Sequence, residues 1–347
     1  MMKELIIYKN DIAKLLTKLA EEVTLIAPVK RKNTLLFEHV TSGNEVTLDF
    51  SNSTLSVKSS LFPQCEKMMT FTTDPEAEDA HIMKDVETQK HKQVIFGIRP
   101  CDAKSFLILD KVFSQGEPGF EDPYFSRRKE KTIVVGLGCN RPLSTCFCTS
   151  FDESGPFATE GLDVILTDLG DKYLVAVLTD KGKELLKDKD MLSEADSASI
   201  DKAHQIRDIA ITSVNSNIKI DRIKVKDTSE LFEDPLWDKL CETCIGCGIC
   251  TYICPTCHCF DIQDEVIENE GVRMRIWDSC MFPLYTLQAS GHNPRATKKE
   301  RFRQRFMHKF KYFQDKFNTI SCVGCGRCIR SCPVNIDIRQ VVGEMNK

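Results

Sequence analysis

The sequence predicts an α/β N-terminal domain followed by an α-rich, cysteine-organised C-terminal domain. Three observations predict it. Strand-like and helix-like patterns alternate over residues 1–190, 12 of the 17 cysteines fall within residues 241–347, and long apolar runs are few in that second region. At 347 residues the chain has room for two or three domains with cores of their own.

Taken in order, DIAKLLTKLAEEV has apolar residues at helical spacing. VTLIAPV, NTLLFEHV and EVTLDF follow, three strand-like runs separated by turn-forming NTL and SGN. KQVIFGI then leads into RPCDAKSFLILDKVF, and KTIVVGLG into CNRPLSTCFCTS, two strand–loop units. LDVILTDLGDKYLVAVLTD predicts a hairpin turning at Gly170–Asp171, with the helix KGKELLKD after it. Residues 191–235 are polar and mixed, a connection of short helices. From DPLWDKL the character changes, and residues 236–347 make the second domain.

Hydrophobic residues make up 41% and charged residues 28%, the balance of a soluble globular protein. A formal net charge of -4 argues against general affinity for nucleic acid or anionic membrane. The opening MMKELIIYKNDIAKLL has one short apolar patch broken by Lys9, Asn10 and Asp11, which is no signal-peptide core. No stretch reaches the roughly 18–20 apolar residues of a membrane span, so the expected location is the cytoplasm. There thiols are kept reduced, and clustered cysteines point to metal or redox chemistry rather than to disulfides.

The run CETCIGCGICTYICPTCHCF puts seven cysteines into twenty positions. Within it Cys244, Cys247, Cys250 and Cys254 follow C-x2-C-x2-C-x3-C-P, closed by Pro255; Cys322, Cys325, Cys328 and Cys332 repeat the pattern, closed by Pro333. Three thiolates at steps of three wrap one face of a [4Fe–4S] cubane, and the glycines between them let the backbone turn its amides towards sulfur. In two-cluster ferredoxins the fourth cysteine ligates the other cluster. The expected ligand sets are therefore Cys244, Cys247, Cys250 and Cys332 for a first cluster, and Cys322, Cys325, Cys328 and Cys254 for a second. Zinc sites also use C-x2-C pairs, but two complete four-cysteine runs each ending in Cys-Pro are a poor match to zinc knuckles. This makes the second domain ferredoxin-like with a long insert, since 67 residues separate Cys254 from Cys322. Within the insert Phe302, Phe306, Phe310, Phe313 and Phe317 share one helical face, a core stripe, while Lys and Arg crowd the other faces. That basic face either guides an acidic electron-transfer partner or is simply solvated.

Cys101 and Cys139 each follow a predicted strand, and Cys146 and Cys148 come from the same loop as Cys139. Ligands of open α/β sheets bind at the carboxyl ends of strands, so these four thiols can meet there and hold a third cluster, with Asp102 as an alternative oxygen ligand. The plainer reading is that some are buried free thiols. Cys65 reads as structural. Cys241, Cys257, Cys259 and Cys280 read as packing around the cubanes in preference to another metal site.

GIRPCDAKS, TCFCTS followed by SGP, CIGCGICTYICPTCHCFDI, RIWDSC, GHNPR and CVGCGRCIRSCPVNIDI, in this order, resemble one family. It contains the iron–sulfur subunits of anaerobic sulfite reductases and the beta subunits of cytosolic NiFe sulfhydrogenases. The resemblance runs from about residue 60 to the C-terminus. It implies an iron–sulfur electron-transfer component of a soluble anaerobic oxidoreductase complex. Its partners would be an FAD-containing subunit linked to NAD(P)H or ferredoxin and a separate catalytic redox subunit. It also favours the third cluster, because Cys101, Cys139, Cys146 and Cys148 all lie in matching motifs.

The leading reading is thus a chain that passes single electrons and has no catalytic residue of its own. G-x-G-x-x-G, P-loop and H-E-x-x-H motifs are all missing from it. An alternative is a reductase with a substrate site at an N-terminal cluster or flavin. An iron–sulfur sensor is weaker, since a DNA-reading regulator would carry a basic balance.

Overall fold

A computed structural model describes residues 3–86, 91–114, 120–151, 154–214 and 218–347. Met1 and Met2 of the opening apolar patch, and residues 215–217 of the expected helical connection, lie outside the described residues. The molecule is mixed α/β. Its strands are β1 (Lys3–Tyr8), β2 (Thr24–Arg31), β3 (Thr34–Val40), β4 (Cys65–Thr72), β5 (Lys84–Asp85), β6 (Gln93–Ile98), β7 (Thr132–Leu137), β8 (Val164–Asp168), β9 (Lys172–Val177), β10 (Ser193–Glu194), β11 (Phe260–Ile267) and β12 (Glu270–Trp277).

Eight strands form one sheet in the order β10-β1-β9-β8-β7-β6-β2-β3. Its centre, β2-β6-β7-β8, is parallel, and both flanks are antiparallel. β6 is buried along its whole length, as the continuous run QVIFGI requires of a strand covered on both faces. Helix α1 (Lys9–Glu22) covers one face through Leu15, Leu16 and Leu19. On the other face lie α2 (Pro100–Phe113) and α3 (Pro123–Glu130), whose Phe106, Leu109, Phe113 and Phe125 pack around Phe62. The β8–β9 hairpin turns where the sequence places it, and α4 (Asp180–Leu185) follows.

EVTLDF, expected to be a strand, joins no sheet. β6 pairs with β2 only over Thr24–Ile26, and beyond it Thr47 N–H donates to Pro28 O at 2.9 Å, a bond to β2 that does not extend into a ladder. The alternation of Val46, Leu48 and Phe50 instead packs an extended, unladdered segment against the core.

Between residues 191 and 235 lie α5 (Ser197–Thr212), α6 (Asp221–Val225) and α7 (Thr228–Glu233), and α8 (Leu236–Leu240) follows. The C-terminal region is less purely helical than its composition suggests. β11 and β12 form a hairpin inside the insert, and β12 pairs with β4 to build a second sheet, β11-β12-β4-β5. Residues 65–85 and 260–277 therefore share one sheet, and the two halves of the chain interlock there. Arg275, 1% exposed, pins the junction by pairing with Glu66 of β4 at 2.5 Å and with Asp122 at the start of α3. The aromatic rings of Phe62, Phe113 and Phe260 surround its guanidinium.

A short helix lies within each cysteine run, α9 (Ile249–Tyr252) in the first and, after the insert's α10 (Lys298–Met307) and α11 (Phe313–Phe317), α12 (Arg327–Arg330) in the second, with α13 (Ile338–Met345) after it. A π-helical turn, His308–Tyr312, joins α10 to α11. Phe302, Phe306, Phe310 and Phe313 are buried as expected, the first three in a core that also holds Trp237, Phe147 and Val342. Among the described residues no helix is long and apolar enough to cross a membrane.

Candidate metal centres

β6 and β7 lie side by side and parallel, so their carboxyl ends open at the same edge of the sheet. β6 delivers Arg99, Pro100 and Cys101, with Pro100 opening α2, where its missing N–H costs no hydrogen bond. β7 delivers Gly138 and Cys139, and the loop beyond it brings Cys146 and Cys148 back to the same place. Cys101, Cys139, Cys146 and Cys148 line one small cavity.

The two C-terminal runs line two further cavities. Cys244, Cys247, Cys250 and Cys332 surround one, and Cys254, Cys322, Cys325 and Cys328 surround the other. The twelve thiols singled out in the sequence thus fall into three groups of four, and each C-terminal group takes its fourth member from the other run. The cavities stand in series. The first and second share Arg305, Cys328 and Ile338 on their walls, the second and third share Cys325, and the first and third share no residue among those described.

Close backbone contact makes the junction between second and third. Phe147 N–H donates to Gly324 O at 2.9 Å. Gly324 and Gly326 have φ of 64° and 70°, and a Cβ on Gly324 would stand 2.5 Å from Cys148 N. Both the turn and the approach require glycine. Arg327, between Cys325 and Cys328, reaches Asp102, beside Cys101, through two bonds of 2.7 and 2.6 Å. Both side chains are 1% exposed, and Arg327 also donates to Ser53 and Asn52. The sequence offers Asp102 as an alternative oxygen ligand. In the structure both its carboxylate oxygens accept from Arg327.

Two observations bear on whether a cluster fits each cavity, although among the described residues no group of three or more His, Cys, Asp or Glu side chains is placed to hold a single metal ion. Burial pushes most of these thiols up, Cys101 and Cys250 above their ordinary values and Cys148 and Cys328 to about 12, so they call for a positive centre to hold them as thiolates. Finally, buried N–H groups stand without partners beside the thiols. Arg305, 4% exposed and on the wall of two cavities, leaves Nε and Nη2 unmatched, and Arg99, on the wall of the third, leaves Nε. Inorganic sulfide is an acceptor of the kind these donors lack.

The sequence suggests a basic face, solvated or partner-guiding, for the lysines and arginines of this helix, and Arg305 and Lys309 depart from it. Both are buried, and Lys309 Nζ donates to Cys254 Sγ at 3.2 Å. Burial opposes the charge of each, but thiolates of Cys250 and Cys328 around Arg305, and of Cys254 and Cys257 around Lys309, outweigh it and raise both pKa values. A signal for this exists in the sequence, since residues 302, 305, 306, 309, 310 and 313 recur at i, i+3, i+4, i+7, i+8 and i+11 on the phenylalanine face.

The other cysteines have separate surroundings. Cys241 is buried in the core around Trp237, against which Cys244, Cys322 and Cys328 also pack, and its carbonyl accepts from Cys244 N–H at 3.1 Å. Cys257 is hydrogen-bonded to Cys254, which raises Cys257 well above its ordinary value. Cys280 and the Tyr285 hydroxyl bond to Cys259 and pull it down to about 6. Cys65, expected to be structural, is exposed at the start of β4.

The family model of a 4Fe-4S dicluster domain matches residues 243–336, which span both cysteine runs and the insert between them. The chain is also similar to the beta subunit of sulfhydrogenase 2 from Pyrococcus furiosus, at 34% identity over 339 residues covering 95% of this chain and 94% of that one. No solved structure matches it.

Proposed function

The chain belongs to the family of sulfhydrogenase beta subunits, iron–sulfur electron-transfer subunits with a 4Fe-4S dicluster domain, and on that premise we propose that it is a three-cluster relay. In this reading single electrons pass between an FAD-containing subunit linked to NAD(P)H or ferredoxin and the catalytic subunit of a hydrogenase-type complex. Cys244, Cys247, Cys250 and Cys332 hold the first cluster. Cys254, Cys322, Cys325 and Cys328 hold the second, as in a two-cluster ferredoxin with a long insert, and Cys101, Cys139, Cys146 and Cys148 hold the third. The observation that carries the reading is the series of three thiol-lined cavities, the middle one sharing wall residues, Cys328 and Cys325 among them, with both others.

A [4Fe–4S] cluster supplies reversible one-electron storage. The chain's own residues place the sites and exclude water from them. Phe302 and Phe306 close the first cavity, and Phe147 closes the second. Amides of Gly246 and Ile336 donate to the sulfurs of Cys244 and Cys332 at 3.4 and 3.2 Å. Both ends of the series open outward. At one end Cys247 is exposed between Ile245 and Ile249, themselves 62% and 38% exposed. At the other an open cleft lined by Asn140, Arg141 and Asp168 shares Arg99 with the third cavity. These two openings support electron entry at one end and exit at the other.

The test is anaerobic electron transfer with the full chain. It is expected to accept electrons from a reduced flavoprotein and to pass them to a one-electron acceptor, while failing to turn over NAD(P)H, hydrogen or sulfite unaided. Reduction of sulfite by the chain alone would overturn the relay in favour of a reductase.

A further inference from the structure

Buried positive charge is unevenly shared among the three cavities. Three cations line the second; Arg327 is paired with Asp102, and the other two are Lys309 and Arg305. Lys309 Nζ bonds to Cys254 Sγ at 3.2 Å, Thr256 Oγ1 at 3.0 Å and Ser321 O at 3.1 Å, and Arg305 lies on the same wall with two unmatched N–H groups. Lys58, 2% exposed, is close behind them, its Nζ on Cys257 O at 2.9 Å. Among the described residues neither Lys309 nor Arg305 has a carboxylate partner. Two imidazoles pack beside this group, His258 and His308, with ring centroids 5.3 Å apart. Burial keeps both neutral near pH 7, so they add no charge.

The other two cavities hold less. Among the described residues Arg305 is the only Lys or Arg on the wall of the first. Among the described residues Arg99 is the only Lys or Arg on the wall of the third.

Adding an electron to a cluster adds a negative charge. A buried cation at contact distance, or an N–H aimed at sulfur, stabilises that reduced form and makes the potential more positive. We propose that Lys309 and Arg305 make the second cluster the most oxidising of the three, a well in the middle of the relay where an electron entering from either end comes to rest. The proposal rests on the three-cluster reading above. Neither residue reacts. Both are positioning residues that act on potential, Lys309 on one cluster and Arg305 on two.

A potentiometric titration of the full chain, purified anaerobically and followed by electron paramagnetic resonance, tests this. Cys322→Ser identifies which signal belongs to the second cluster. In the unmodified chain that signal is expected to appear first as the potential is lowered. Lys309→Met is expected to move it to more negative potential and leave the other two in place, whereas Lys309→Arg keeps it near its original value. Arg305→Lys, which keeps the charge but loses the fork of donors, is expected to shift the first and second signals together and spare the third. The proposal is overturned if the second signal is not the first to appear, or if Lys309→Met leaves it unmoved at full iron content. Iron analysis separates this outcome from the larger one: a chain without cluster iron refutes the relay itself.

Discussion

At the scale of single residues, the decisive assignment is Cys254. Its own run continues the first cluster's motif, yet its side chain lines the cavity of Cys322, Cys325 and Cys328. Cys254→Ser is therefore expected to lose about four irons and the second cluster's signal while keeping the first. Loss of the cluster at Cys244, Cys247 and Cys250 instead would reverse the exchange. The cysteines are legible because thiolate spacing is set by the cluster and repeats in the chain. The cations are harder to read. A lysine on a helix is ordinarily a solvated side chain, and only the position of Arg305 and Lys309 within the phenylalanine stripe marks them as inward-facing.

At the scale of elements, α2 and α12 are joined by the pair Asp102–Arg327, which ties the sheet's cysteine-bearing edge to the second cluster's loop. Asp102→Asn keeps the shape but strands a buried guanidinium, a change that typically costs about 3–5 kcal/mol. The variant is expected to melt at lower temperature and to lose the iron of the third cluster before that of the first. Unchanged melting and full iron content would show the pair to be dispensable. This contact is not legible in sequence: Asp102 stands beside Cys101, where an oxygen ligand is a natural reading, and its partner is 225 residues away. Strand pairing is partly legible. The periodicity of β2, β3 and the β8–β9 hairpin marks them locally, but EVTLDF has the same period and forms no ladder, meeting β2 through the bond from Thr47 N–H to Pro28 O. The insert's β11–β12 hairpin escapes a sequence reading because the cysteines and basic residues around it dominate, and its partner strand, β4, belongs to the other half of the chain.

At the scale of the whole molecule, the α/β sheet and the dicluster region interlock through several contacts, among them the β4–β12 ladder, the Asp102–Arg327 pair, and the packing of the Phe147–Cys148 segment on Gly324. An N-terminal sheet edge carrying four thiols thereby comes to lie against the loop of Cys322, Cys325 and Cys328, the placement on which the proposed third site rests. Iron and acid-labile sulfide in the full chain, purified anaerobically, measure this most directly. Three occupied sites predict about twelve of each per chain, and about eight would remove the third site and with it the series; zinc with negligible sulfide would contradict the iron–sulfur account altogether.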